Sequence, residues 1–304
     1  MRRLTKDKHI YDLDPDAPPA ITIESGEELI VETWDVFQGL QDSESIHQRF
    51  ELGPDPSALP IPATGPIYVR DAMPGDALKI DFIRITPIDH AIQRQRPGSG
   101  YLDEDFRDIH VTLMPIEGDH LVFPGGIRIP LSPDMGMVAT TPTYVLHPSG
   151  RIGPHGGDID LHDLGEGTTL HLPVFVPGGL LVMGDGHAAA GEATMAGTAA
   201  EAQLEVHIRV TLEKGRNLKS PRALTRSDFV ILGHDKNDGD LTECLTRAVR
   251  EMLDVLVGEK GMEPNDAYAL LSVAGAVVGP ASNRRLYMSS PKVTLDRQVY
   301  EQLG

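Results

Sequence analysis

Two glycine-bordered polar loops carry the densest chemistry in the chain. The first reads Pro154-His155-Gly156-Gly157-Asp158-Ile159-Asp160-Leu161-His162, and the second Met183-Gly184-Asp185-Gly186-His187-Ala188-Ala189-Ala190-Gly191-Glu192. Aspartate oxygens and imidazole nitrogens are the ligand set of zinc and related divalent ions. Asp185 and His187 are two residues apart, so in an extended segment both point to one side and suit one ion. The pair Gly156-Gly157 has no side chains to shield its backbone N–H groups and could offer them to an oxyanion. The segments Leu170–Val176 and Leu180–Met183, joined by Pro177-Gly178-Gly179, read as a hairpin that brings the two loops together.

The competing reading is ordinary turn material. Asp-Gly and Gly-His steps are common in turns, and isolated histidines such as His155 and His162 are more often hydrogen-bonded surface residues than ligands. Spacing alone therefore supports a candidate divalent metal site and goes no further. Other catalytic signatures are absent: no Gly-x-Ser-x-Gly elbow, no phosphate-binding Walker loop and no dinucleotide fingerprint. The single cysteine, Cys244, excludes an internal disulfide and sits at a helical apolar position as a small buried hydrophobe.

The elements that must position these loops follow from patterning. Alternation over Ala77–Ile85 (Leu78, Ile80, Phe82 against Lys79, Asp81) and over Glu205–Leu212 predicts strands with one wet face. Pro173 removes a ladder donor, which predicts an edge or bulged strand over Leu170–Val176. The Pro/Arg-rich stretch Gln93–Gly100 and the stretch Lys219–Arg222 read as exposed loops. Toward the C-terminus Leu241, Leu245, Ala248, Val249, Met252, Leu253 and Leu256 share one helical face. Asp240 and Glu243 resemble a capping box, Gly258 and Gly261 stop the helix, and Pro264 opens a second helix to about Ala274. The expected fold is α+β and mostly β: an antiparallel β-sandwich or barrel core with a C-terminal helical pair. Residues 1–235 form the β-rich catalytic core; residues 236–304 supply the helices and a final strand packed on it.

The chain has 304 residues, 40% of them apolar, and a formal net charge of −18. That charge disfavours nucleic acid and anionic membrane surfaces as partners. Met1-Arg2-Arg3 is basic but no apolar run follows, so no secretory signal is expected and the expected compartment is the cytoplasm.

Several segments together resemble the acetamidase/formamidase family. They are Gly156-Gly157-Asp158-Ile159-Asp160, the run Gly167–Leu180, Gly184-Asp185-Gly186-His187-Ala188-Ala189, Thr64–Val69 with Pro74-Gly75-Asp76, Glu32-Thr33-Trp34-Asp35 with Gly39, and Asp266–Ser272 with Ala274-Gly275. The resemblance implies a β-rich and commonly dimeric enzyme that hydrolyses short aliphatic amides to a carboxylate and ammonia. It also implies a divalent ion, zinc first and calcium as the alternative. The implied ligands are Asp185, His187 and Asp160, with His155 and Asp158 next and Asp35 more distant. Glu192 stands where the family carries an acid, one carbon shorter, and is the expected proton shuttle. Thr194 replaces a second acid. A metal-braced binding module and a hydrolase of a larger or cyclic amide are the alternatives.

Overall fold

The computed structural model describes residues 1–40, 42, 44–46, 61–97, 99–102, 104–147, 150, 152–192, 194–234, 241–278, 282–283, 286–287 and 291–303. Asp240, half of the expected capping box, lies outside them.

Among the described residues two large sheets face each other. The first runs, edge to edge, Arg2–Leu4, Glu27–Thr33, Leu204–Glu213, Ala77–Pro87, Thr169–Pro173, Arg222–Leu224, Asp228–Leu232, Lys292–Asp296 and Gly275–Val278. The second runs Ile127–Pro130, His120–Phe123, His110–Glu117, His90–Gln95, Ala200–Glu201, Leu181–Ala189, Asp134–Ala139 and Gly156–Asp158, with Ala63–Val69 also paired to Leu181–Ala189. The pairings are mostly antiparallel. Arg2–Leu4 with Glu27–Thr33, and Ile21–Ile23 with Ala63–Val69, are parallel. The mostly β architecture, as a sandwich, is the one the alternation predicted.

Alternating residues of both sheets make the central core. Leu29, Val31, Ile80, Phe82, Val206 and Ile208 from the first sheet meet Ile67, Met135, Val138, Leu181 and Met183 from the second. The second sheet is covered on its other face too. There Ile92, Met137, Ala139 and Val182 pack under Leu13, Val36, Phe37, Ile46 and Ile61. Covering both faces explains why Asp134–Ala139 is buried throughout and Leu181–Ala189 is buried as far as Ala188.

The C-terminal segment carries helices α1 (Leu241–Gly258), α2 (Pro264–Ala274) and α3 (Arg297–Glu301). Ala248, Met252, Val255 and Leu256 of α1 bury against Phe229, Ile231, Val293 and Leu295 of the first sheet. The face expected from sequence was broader than the buried stripe. Val249 and Leu253 are half-buried at its margin against the same cluster, and with Leu245 they also line a surface groove beside Tyr268 and Val277. None of the helices among the described residues is long and apolar enough to cross a membrane.

Four local expectations are corrected. Thr169–Pro173 is an interior strand between Ala77–Pro87 and Arg222–Leu224. Pro173 is tolerated because it is the strand's last residue. Pro177-Gly178-Gly179 does not close a hairpin; it carries the chain from the first sheet to the second. At Gly178 (φ 78°) an added Cβ would lie 2.1 Å from the Tyr68 ring, so only glycine fits that crossing. Gln93–Gly100 is not an exposed loop. It begins within a strand, and Arg94 is 2% exposed. In Lys219–Arg222, Ser220 is buried and donates to Glu251 Oε1 at 2.7 Å.

Candidate functional site

The buried polar centre is built across neighbouring strands of the second sheet. His187 stands opposite Asp134 on one side and opposite Glu201 on the other. His187 Nδ1 lies 2.8 Å from Asp134 Oδ1. That contact fixes the ring and turns Nε2 toward three other carboxylates: Glu201 Oε2 at 3.6 Å, Asp160 Oδ1 at 3.8 Å and Asp185 Oδ2 at 3.8 Å. A carboxylate orienting an imidazole whose second nitrogen faces outward is the usual support of a histidine metal ligand.

Local backbone geometry makes the convergence possible. Asp185 (φ 54°) and Asp160 (φ 40°) both adopt left-handed conformations that non-glycine residues rarely take. Asp185 kinks its strand opposite Gly136, where the paired register passes from Met135–Gly186 to Met137–Gly184. The Gly136 carbonyl accepts the N–H groups of Ile159 (2.8 Å) and Asp160 (3.0 Å), which folds the first polar loop onto the second. An added Cβ at Gly136 would lie 2.6 Å from Asp185 O, 2.7 Å from His187 Cε1 and 2.8 Å from Asp160 Oδ1. Strained backbone held by surrounding structure is typical of functional sites.

The electrostatics are unbalanced. Burial, then repulsion from Asp160 and Asp185, pushes the Asp158 carboxyl well above its usual range. Burial pushes Asp160 up to about 8, against the attraction of His187. Burial and then Asp185 push Glu201 well up, and burial raises Asp134. Burial opposes the charge on His187, but Asp134 and Glu201 outweigh it and hold the ring protonated well above its ordinary value. Asp134 Oδ2, Asp158 Oδ1, Asp160 Oδ1, Asp185 Oδ1 and Glu201 Oε2 are buried without a hydrogen-bond partner. Orphaned buried carboxylate oxygens are costly unless a cation meets them. Asp160, Asp185 and His187 each present a ligand atom within 4.8 Å of the others, and the donor set fits a divalent ion.

The other expected residues lie as follows. Asp158 is on the strand beside Met137 and near enough to Asp185 for that neighbour to help raise its carboxyl. His155 is buried, with its ring packed on Gly153. Asp35 accepts from the N–H groups of Phe37 (2.8 Å) and Gly39 (3.0 Å), closing its own turn. The Gly156 N–H donates to Gly153 O at 3.1 Å, and Gly157 pairs with Val138 in the ladder.

Glu192 belongs to a second, half-exposed cluster. Its Oε2 lies 2.7 Å from His162 Nδ1 and its Oε1 2.5 Å from Lys292 Nζ, while His162 Nε2 is 3.2 Å from Asp163. Burial alone would raise the Glu192 carboxyl, but His162 and Lys292 outweigh it and hold it down at about 2. Such a group stays ionised at neutral pH.

Sequence reasoning missed Asp134 and Glu201. Each is a lone acid in an apolar or small-residue run (Asp134-Met135-Gly136-Met137-Val138, Ala199-Ala200-Glu201-Ala202), and a buried unpaired acid is the signal that could have found them.

Solved structures share this arrangement of sheets. A predicted acetamidase/formamidase from Thermoanaerobacter tengcongensis matches with TM-score 0.90 and 26% identity, over 100% of this chain and 98% of its own. An acetamidase from Bacillus halodurans matches with TM-score 0.88 and 30% identity, over 99% of each chain. An acetamidase from Yersinia enterocolitica matches with TM-score 0.85 and 28% identity, over 100% of this chain and 93% of its own. No curated protein matches the chain by sequence. Fold and centre thus define an amidohydrolase acting on linear amides. The chain belongs to the Acetamidase/Formamidase family, whose model matches residues 4–153 and 148–280.

Proposed function

We propose that this protein hydrolyses a short aliphatic amide, of formamide or acetamide size, to a carboxylate and ammonia at a zinc-type divalent ion held by Asp160, Asp185 and His187. The observation that supports this most is the convergence of those three side chains, with orphaned carboxylate oxygens, around His187 Nε2. When bound, the ion supplies Lewis acidity toward a carbonyl oxygen and toward water.

The chain's own groups do the rest. Asp134 holds the imidazole through Nδ1 and keeps Nε2 aimed into the centre. Glu201 is anchored at one oxygen by the Ala199 N–H (2.8 Å), which leaves Oε2 facing His187. Burial and the neighbouring Asp185 push that carboxyl upward, toward the range useful for proton transfer. It can take a proton from the attacking water and hand it to the departing amide nitrogen. We assign the shuttle to Glu201 in place of Glu192, because a carboxyl held at about 2 is a weak acid-base partner at neutral pH. The test is ammonia release from formamide, acetamide and propionamide before and after chelation. Turnover that survives complete metal removal would overturn the ligand assignment.

A further inference from the structure

The strand orders of the two large sheets have four ends, and three of them are guarded. Arg2–Leu4 carries two arginines tied to Glu27, Glu32 and Glu205. Ile127–Pro130 carries Arg128 and closes on a proline. Gly156–Asp158 carries an acid, and Gly156 is bridged to Gly153. Charges and prolines are how natural sheets keep an open edge from pairing with another chain. The fourth end, Gly275–Val278, has neither. It reads Gly-Ala-Val-Val and pairs on one side with Lys292–Asp296. No strand lies on its other side among the described residues.

The helix that leads into this strand is also left in water. α2 is apolar over much of its length, yet Ala267 is its one buried residue. Tyr268 is 60% exposed, Val273 86%, and Val277 of the strand 56%. Val277 stands opposite Val293, so it lies on the sheet face that packs on α1. There it lines the surface groove with Tyr268, Val249 and Leu253. No charged residue occurs from Tyr268 to Val278. In a chain of net charge −18, such a patch lets two copies meet without the repulsion that the rest of the surface imposes.

We propose that Gly275–Val278 and the exposed face of α2 form the interface between two copies of this chain, related by a two-fold axis. An open strand edge is satisfied by another strand, and the chain supplies a matching one in its own copy. Across a two-fold axis the two Gly275–Val278 strands run antiparallel, so each completes the other's ladder. The joined edges make one sheet continuous through both subunits, and Tyr268, Val273 and Val277 leave water together. Arg250 is the one charged side chain lining the groove among the described residues. The surface therefore selects by shape and apolarity, and a second copy of the same uncharged strand offers both.

The test is the mass of the full chain in solution, by light scattering after size exclusion at micromolar concentration. Wild-type protein should have twice the 33.0 kDa chain mass, or a larger even multiple of it. Val277→Lys sets a charge into the joined edge and should weaken self-association by at least about 100-fold, the scale of a lost hot spot. Val273→Glu changes a side chain that is in water in the single chain, so the fold is kept, and it should weaken association by about 10-fold or more. Ile127→Lys, on the guarded edge of the other sheet, should leave the mass unchanged. Backbone amides of Gly275–Val278 should exchange hydrogen more slowly in concentrated than in dilute wild-type protein. If Val277→Lys fails to fold, Val273→Glu and the exchange measurement decide. A monomeric wild type, association that survives both substitutions, or association that Ile127→Lys breaks equally overturns the proposal.

Discussion

The molecule holds two carboxylate–imidazole clusters, and they differ in charge balance. Around His187, four acids (Asp134, Asp160, Asp185 and Glu201) lie within 4 Å of one ring, with Asp158 beyond them, and crowding with burial raises most of these carboxyls. Around His162, Glu192 is met by both the ring and Lys292, and its carboxyl falls instead. Residue types alone would rank the two equally. The sign of the electrostatic imbalance separates a place that wants a cation from one that already has it.

The largest expected effect breaks the comparison outright. His187→Ala or Glu201→Gln should lower kcat by about 100-fold or more, the scale of a lost acid–base or positioning group. Glu192→Gln should cost less than about 10-fold, the range left to indirect effects. Steady-state kinetics on one amide checks all three; a larger loss at Glu192 would return the proton shuttle to that residue.

Next is pH. Asp160, raised to about 8, contributes stability that is complete below its unfolded value near 4 and lost as pH rises toward 8. Metal-free protein should therefore melt progressively lower between pH 5 and 8, and saturating zinc should flatten that slope. Calorimetry with and without chelator measures it, and a flat chelated profile would contradict the charge surplus. Glu192 has the opposite sign: its contribution is present above about pH 4.5 and lost toward pH 2. Its partial exposure keeps that contribution small.

Gly136→Ala sharpens the geometry. The added methyl must displace Asp185, His187 or Asp160, so we expect about 1–3 kcal/mol of destabilisation. Zinc affinity should also fall, read by titration of the chelated protein. The smallest effect is Lys292→Met, which leaves the Glu192 bridge to His162 and should cost about 1 kcal/mol or less in denaturant unfolding.

Much of the fold was legible because period-2 alternation in Ala77–Pro87 and Leu204–Glu213 reflects one core face per strand. Pro173 misled because a proline closing a strand obeys a different constraint from one inside it. Asp185 and His187 stood out by spacing, yet they converge through a left-handed kink at Asp185 rather than a regular extended segment. Asp134 and Glu201 were invisible because cross-strand register, not local sequence, brings them to His187. Arg94 read as loop because its flanking Arg96-Pro97 is loop-like, while burial is decided by Phe37 and the neighbouring strands.

Asp134, His187 and Glu201 occupy a single rung spanning three adjacent strands. A slip of one residue in either pairing would swing an acid into the apolar interior and bring an alanine or methionine to the ring. Under the proposed ion binding, register would therefore be checked on assembly: a slipped chain would lose the acid that orients the His187 ring or faces its Nε2, and only the correctly paired sheet would gain the full stability of a bound cation.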